Sequence, residues 1–278
     1  MDFGGDQLAV SGAYRIPLEA HSPAAALLDA MADCAGTLDM PGNVHWGMAV
    51  PGPFDFISGV AHYHDVGKFE SLAGVDVGAE LRRRRGPMTI SFLNDAHAFT
   101  LGEWRAGAVI GHRRVIGFTL GTGVGSGFLN DGRIVDSGPT VPPEGRIDLT
   151  TIDRRPLEDV VSRRAMLREY AALVGPSDAD VRDLADQARA GDTTSAALFD
   201  ATFTQLGLAV GPWIKRFDAD AVVIGGSMSH SWDLIGGPFT AALGSDVPVE
   251  LAVLGDTSGL VGAAWYTQVD KSPQEHAQ

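Results

Sequence analysis

Three apolar segments, each stopped by glycine, proline or polar residues, constrain the fold of this chain most strongly. They span Val44–Val50, Met88–Asp95 and Ala221–Gly226. Their length and apolar content are typical of buried strands, and segments with helical periodicity lie between them. The chain therefore alternates between strands and helices, which predicts an α/β fold.

Glycine-turned strands and amphipathic helices fill the rest of the sequence. Strands are predicted over Asp2–Leu18 and residues 247–254, and a three-stranded meander over Val115–Val135. Helices are predicted at Ser22–Ala35, Asp76–Arg85, 96–107, 156–174, 177–190, Asp192–Phe217 and 259–269. Each half thus presents a meander, a helix and a buried strand, and two such halves facing each other would enclose a cleft. This repeat is one of pattern and not of residue identity.

The charge balance excludes several classes of partner. The chain has 278 residues, and its 21 basic and 35 acidic side chains give a net charge of −14. Nucleic acids and anionic membranes both need a basic face.

The single cysteine, Cys34, leaves no internal disulfide and no cysteine-rich zinc site. Since the sequence has neither an apolar run of roughly 20 residues nor a signal peptide, we expect a cytoplasmic protein.

The segment Leu120–Gly127 contains four glycines and a threonine between two apolar strands. Glycines allow successive backbone amides to face one point, and such a concave row binds phosphate. A tight hairpin without a ligand explains the same glycines, because short glycine motifs are common. Near the start of the chain, Asp2–Gly5 places a carboxylate beside a glycine turn, which would suit a hydrated Mg²⁺ ion.

Asn94 and Asp95 occupy the junction between a predicted strand and a predicted helix. A carboxylate at the carboxyl end of a buried strand is placed to accept a proton from a substrate hydroxyl. Helix capping explains the same residue, because Asn and Asp are both favoured at N-caps. The run His62–Asp65 contains possible metal ligands but too few of them for a site, so a polar loop is expected there.

Seven motifs in a fixed order resemble those of one family. They are Asp2–Gly5, Gly47–Asp55, Phe92–Ala108, Phe118–Val135, Arg155–Met166, Asp218–Gly226 and Gly259–Ala264. Their order resembles that of the ROK family, which comprises repressors, uncharacterised open reading frames and sugar kinases. The resemblance spans nearly the whole chain and implies a two-lobed actin-like ATPase (ribonuclease H-like) fold with a central cleft.

The resemblance also implies two lobes with separate tasks. Residues 1–112 would form the N-terminal lobe, on the sugar and phosphate side, completed by a C-terminal helix over residues 258–270. Residues 113–257 would form the C-terminal lobe, which binds the nucleotide and dimerises. A homodimer is therefore expected.

Residue by residue, the resemblance implies the site of a sugar kinase. Asp95 matches the general base that takes the proton from the sugar 6-hydroxyl. The substrate-binding residues that the resemblance implies are Asn94, Glu144, Glu158, Pro51 and Gly52. The ATP-binding residues that it implies are Asp2, Gly4, Gly5, Gly121, Thr122, Gly123, Gly125, Gly225 and Gly226, with Asp2 also serving Mg²⁺. These roles suit phosphoryl transfer, which needs a base, an in-line hydroxyl and neutralised phosphate charge.

Departures from the family pattern bear on metal content and activity. The stretch before Leu157 contains no cysteine, and the family's zinc-site histidine would fall near Ile147, so no zinc is expected. Asp6 stands where the family has threonine.

Taken with the resemblance, the sequence predicts an ATP- and Mg²⁺-dependent hexose kinase. The alternative is a catalytically weakened member that binds sugar or nucleotide in a regulatory role. A repressor is not expected, because the repressors of the family carry a basic winged-helix domain ahead of the phosphate motif, and here that motif begins at Asp2.

Overall fold

The computed structural model describes residues 13–37, 45–152 and 154–269. Its strands are β1 (His45–Val50), β2 (Phe54–Asp55), β3 (Val60–Ala61), β4 (Thr89–Asn94), β5 (Arg114–Leu120), β6 (Val124–Asn130), β7 (Arg133–Ile134), β8 (Thr151–Ile152), β9 (Arg155–Pro156), β10 (Ala221–Gly225) and β11 (Val249–Leu251). Its α-helices are α1 (Ala24–Gly36), α2 (Val77–Arg85), α3 (Asp95–Ala106), α4 (Glu158–Val161), α5 (Arg163–Val174), α6 (Val181–Arg189), α7 (Thr193–Phe217), α8 (Trp232–Leu243) and α9 (Ser258–Val269). Short 3₁₀ helices lie at Glu70–Leu72, Pro143–Gly145, Ile147–Leu149, Ser227–Ser231 and Gly255–Thr257.

Two sheets position the functional residues. In the first, β1 and β4 are parallel with Val50 opposite Asn94, so both strands end at the same edge. The second sheet has five strands in the order β11-β10-β5-β6-β7. Its strands β11, β10 and β5 are parallel, whereas β5, β6 and β7 form an antiparallel meander. Two small hairpins, β2–β3 and β8–β9, complete the strands.

Three clusters of buried apolar side chains form the core. One cluster packs α1, α2 and the β2–β3 hairpin against the first sheet, around Phe92. Another packs helices α4 to α8 against the five-stranded sheet, around Phe203. The third includes Ala263 and joins the two sheets through α3 and α9. The two sheets are therefore connected by buried helices.

Helices α3 and α9 cross with their backbones in direct contact. A Cβ atom on Gly102 would lie 2.0 Å from a carbonyl oxygen of α9, and one on Gly262 would lie 1.8 Å from a carbonyl oxygen of α3. A Cβ atom on Gly47 in β1 would lie 2.0 Å from another carbonyl oxygen of α9. Only glycine permits such approaches. Helix α9 thus lies against β1, where the predicted lobe arrangement puts a C-terminal helix, while the lobe boundaries stay a prediction.

Glu103 ties α3 to the segment that leads into α9. Its side chain is fully buried. Oε2 accepts hydrogen bonds from the amides of Ala108 (3.0 Å) and Val253 (3.2 Å). Oε1 accepts from the Leu254 amide (3.0 Å) and the Ser258 hydroxyl (2.6 Å). A single carboxylate therefore satisfies four donors, three of which are 150 to 155 residues away in the sequence.

The predicted helices and strands are present with shifted ends, apart from two. Residues 13–19 form no strand, and the rest of that predicted strand region lies outside the described residues. The helix predicted over residues 156–174 is divided, because Ser162 has extended backbone angles and caps α5 by accepting the Ala165 amide at 3.1 Å. Helix α8 has no counterpart in the prediction. Within the described part of the chain, the model contains no helix both long and apolar enough to cross a membrane.

Candidate active site

A cleft of about 1700 Å³ lies where strands of both sheets end. Pro51 follows β1, Asp95 follows β4, Gly121 follows β5 and Gly226 follows β10, and all four residues line the cleft. The carboxyl ends of parallel strands are the edge at which open α/β sheets bind ligands. The cleft-lining residues include these that the sequence predicted: Pro51, Gly52, Asn94, Asp95, Gly121, Thr122, Gly123, Gly125, Glu144, Glu158 and Gly226.

Four predicted site residues remain, and of these the structure describes Gly225, which does not line the cleft. Asp2, Gly4 and Gly5, together with Asp6, lie outside the described residues. Gly225 ends β10, and a Cβ atom there would lie 2.4 Å from the ring of Phe99 in α3. Helix packing therefore explains Gly225, and its assignment to adenosine binding stays a prediction.

The β4–α3 junction presents Asp95 to the cleft. Asn94 has extended backbone angles (φ −64°, ψ 144°), and its Oδ1 accepts hydrogen bonds from the amides of Ala96 (2.9 Å) and His97 (3.4 Å). Asn94 is therefore the N-cap of α3, and Asp95 is the first residue of the helix. One Asp95 oxygen shares the Ala96 amide at 2.9 Å. Because Asn94 caps the helix, capping does not account for the carboxylate of Asp95.

The surroundings of Asp95 raise the pKa of its carboxyl above the ordinary aspartate value. The main cause is desolvation by the protein atoms around the carboxyl, which disfavours the charged form, and the charge of Asp148 adds to it. The Ala96 amide and the Lys68 ammonium oppose the shift. The side chain is nevertheless open to solvent in the cleft. Asp95 thus combines substrate access with the raised proton affinity that suits a general base.

The glycine-rich segment forms the hairpin between β5 and β6. Residues 121–123 are the turn, in which the Gly121 amide donates to the Gly123 carbonyl at 3.0 Å. Gly125 and Gly127 lie in β6 beneath α3, where Cβ atoms would fall 2.9 Å from the Ala96 Cβ and 2.4 Å from the Thr100 hydroxyl. Helix α3 therefore sits directly on the hairpin, and this contact fixes Asp95 relative to the turn. The motif is both a tight hairpin and a wall of the cleft.

Two residues from other elements border the glycine turn. Glu158 begins α4 and reaches over the turn, because a Cβ atom on Gly123 would lie 2.1 Å from its Oε1. Gly226 follows β10 with φ +87°, and a Cβ atom there would lie 2.3 Å from the Leu120 carbonyl oxygen, so only glycine fits. Glu158 is thus beside the turn predicted for nucleotide phosphates, and its predicted contact with the sugar stays a prediction.

The segment after β7 brings three charged residues, Glu144, Arg146 and Asp148, to the cleft wall. Ser126 of β6 anchors this segment. Its hydroxyl donates a hydrogen bond to the Gly145 carbonyl (2.7 Å) and accepts one from the Ile147 amide (2.9 Å). Arg146 lies 3.4 Å from Glu144 and 2.6 Å from Asp148. The two carboxylates therefore hold the guanidinium in place, and Asp148 is close enough to act on Asp95.

Several polar cleft residues were not singled out from the sequence, among them Lys68, His97, Arg146 and Asp148. The last two lie within four positions of Glu144, which is a signal that could have found them. Burial lowers the pKa of His97 to about 4, so its ring is neutral at pH 7. Among residues that the structure describes, no three His, Cys, Asp or Glu side chains are grouped as metal ligands.

The model of the ROK family matches residues 13–269 of the sequence. This chain belongs to the ROK family. A glucokinase from Thermotoga maritima is 31% identical over an alignment of 214 residues that covers 69% of this chain and 66% of that protein. The chain thus spans just under two thirds of the length of this relative.

Solved structures of the family share the fold. A ROK hexokinase from Thermus thermophilus has a TM-score of 0.77 at 23% identity, over 92% of this chain and 90% of that chain. A ROK family glucokinase from Streptomyces griseus, in complex with glucose and AMPPNP, has a TM-score of 0.70 at 22% identity, over 88% of both chains. The predicted actin-like ATPase fold with a central cleft is confirmed.

Proposed function

We propose that this protein is an ATP-dependent kinase that phosphorylates a hydroxyl group of a hexose or hexose derivative, as a glucokinase does. Asp95 carries the proposal. It is a carboxylate with a raised pKa that faces the cleft, and the adjacent Asn94 caps its helix. The glycine turn lines the same cleft. Similarity to a glucokinase and to a ROK hexokinase supports the choice of reaction.

In the proposed reaction, Asp95 accepts the proton of the acceptor hydroxyl while the oxygen of that hydroxyl attacks the terminal phosphorus of ATP. The new bond joins that oxygen to phosphorus, the bond from phosphorus to the bridging oxygen breaks, and ADP leaves. Asn94, Pro51 and Gly52 would bind the sugar, because they lie at the carboxyl ends of β4 and β1, next to Asp95. Glu144 and Glu158 are proposed as further sugar ligands.

The nucleotide would bind at the glycine turn. Gly121, Thr122, Gly123, Gly125 and Gly226 line the cleft there, and backbone amides of such turns hold phosphates. Gly225 and the segment with Asp2, Gly4 and Gly5 are proposed for the same ligand. Mg²⁺ enters such sites with the nucleotide, bound by phosphates and one or two carboxylates. The predicted ligand Asp2 has the right chemistry for this ion. Independence from zinc, a cytoplasmic location and a homodimer stay predictions.

A coupled assay of ADP release tests the proposal across a panel of hexoses and N-acyl hexosamines with ATP and Mg²⁺. We expect release with at least one sugar and a loss of about 100-fold or more in Asp95→Asn, since that variant keeps the size but lacks the base. Asp200→Asn is the matched control, because Asp200 is exposed on α7. An Asp95→Asn variant as active as the wild type would contradict the role of Asp95. Sugar binding without ADP release would instead favour the regulatory alternative.

A further inference from the structure

The loop between β3 and the first 3₁₀ helix has an unusual backbone. Asp65, Gly67 and Phe69 all have left-handed backbone angles, with φ of 57°, 73° and 57°. Glycine adopts such angles freely, whereas a bulky side chain such as that of phenylalanine is a real exception. Exceptions of this kind persist only where surrounding contacts enforce them, and they cluster at functional sites.

Contacts on both sides hold this loop in its conformation. The Gly67 amide donates to Glu70 Oε1 at 2.9 Å, and the Phe69 amide donates to the Ala20 carbonyl at 2.8 Å. The Phe69 ring lies 6.0 Å from the ring of Tyr63, which is buried. The residue between the two bonded amides is Lys68, so its backbone is fixed from both sides.

Lys68 lines the cleft together with Asp95. Its positive charge favours the ionised form of Asp95 and so acts against the raised pKa of that carboxyl. Three arginines also line the cleft: Arg133 belongs to β7, Arg146 is engaged by two carboxylates, and Arg164 lies 3.5 Å from Asp159. Lys68 makes no ion pair with any residue that the structure describes, and the residue is exposed where it lines the cleft. The strained loop therefore presents an uncompensated charge within electrostatic range of the proposed base.

We propose that Lys68 is a catalytic residue whose ammonium contacts an oxygen of the phosphoryl group during its transfer to the acceptor hydroxyl. The inference rests on the proposed kinase function. The hydroxyl that Asp95 deprotonates must lie next to the phosphorus that it attacks, so the phosphoryl oxygens and the Asp95 carboxylate come close together. A fixed positive charge at that point stabilises the oxygens as their charge is redistributed in the transition state. Lys68 keeps its proton throughout, and Asp95 receives that of the hydroxyl.

The kinetic test compares Lys68→Met and Lys68→Arg with the wild type, using the best acceptor of the sugar panel. Lys68→Met keeps an unbranched stem of four heavy atoms and lacks the ammonium group, and we expect kcat to fall about 10²–10³-fold, as on loss of one preorganised donor. The KM for the sugar should change little, because a contact with the moving group acts on kcat. Lys68→Arg retains the charge and should recover part of the rate. The matched control is Lys215→Met, at the exposed end of α7.

Calorimetry supplies a second measurement that a merely structural role would not affect. Lys68→Met should weaken binding of the 6-phosphate of that sugar about 10-fold, through loss of a charge-assisted contact, and leave binding of the free sugar unchanged. If the wild type is active and Lys68→Met matches Lys215→Met in both measurements, the role of Lys68 is wrong and the kinase function stands. Equal weakening of sugar and sugar phosphate would make Lys68 a sugar ligand and also overturn the inference. A wild type without kinase activity overturns both proposals.

Discussion

The substitution Glu103→Gln isolates the contribution of one buried carboxylate to the joining of α3 and α9. Glutamine keeps the shape of the side chain but replaces one acceptor oxygen by an NH₂ group, which only donates. If that NH₂ group takes the place of Oε2, the amides of Ala108 and Val253 both lose their acceptor. The variant would then contain two partly buried, unpaired backbone N–H groups.

The opposite orientation costs less. With the NH₂ group in the place of Oε1, the Ser258 hydroxyl accepts from it and donates to the Gly255 carbonyl, which already lies 2.8 Å away. Only the Leu254 amide then loses its acceptor. A buried N–H group without a partner costs about 1–3 kcal/mol. We therefore expect Glu103→Gln to lower the free energy of unfolding by about 1–3 kcal/mol.

Urea unfolding followed by tryptophan fluorescence measures this change. Glu169→Gln, at an exposed position of α5, is the matched control and should stay within about 0.5 kcal/mol of the wild type. Glu103→Ala should cost more than Glu103→Gln, because all three backbone amides lose their acceptor and a cavity remains. A Glu103→Gln variant as stable as the wild type would refute the reasoning, since it would mean that water or a local shift satisfies the amides.

Two further predictions concern the surroundings of Asp95. Asp148→Asn removes a negative charge that raises the pKa of Asp95, so the fall of kcat/KM on acidification should move to lower pH; a profile that does not move would contradict their interaction. Gly127→Ala puts a methyl group 2.4 Å from the Thr100 hydroxyl. Because α3 must then shift, the substitution should lower the free energy of unfolding by about 1–3 kcal/mol and reduce kcat. Thermal unfolding checks the latter against Gly237→Ala, which has open space; equal melting temperatures would contradict it.

The sequence could predict where the candidate base lies but not which residue caps the helix. Asn94 and Asp95 have the same preference for an N-cap, so composition could not separate them. The extended backbone of Asn94 decides the matter, and it depends on where β4 stops pairing with β1. The break at Ser162 was missed for a similar reason, because apolar periodicity continues across it while the hydroxyl caps a new helix.

Tertiary contacts account for what the sequence could not show. In the glycine-rich hairpin, turn glycines and packing glycines look alike until α3 is placed on Gly125 and Gly127. Lys68 follows a glycine and precedes a phenylalanine, and no propensity predicts a left-handed phenylalanine. The left-handed conformation of Phe69 is supported by the hydrogen bond from its amide to the carbonyl of Ala20, a residue from a distant part of the sequence.

The contact of α9 with β1 has a consequence for synthesis of the protein. Gly47 and Ala263 are separated by more than 200 residues, yet the backbone of α9 covers β1 at Gly47. At translation rates of about 5–20 residues per second, α9 leaves the ribosome roughly 10–40 s after β1. Until then, the face of β1 and α3 that α9 buries is open to other chains and to chaperones. This part of the fold is therefore completed only after α9 has been synthesised, and every nascent chain passes through a state in which that apolar face needs protection.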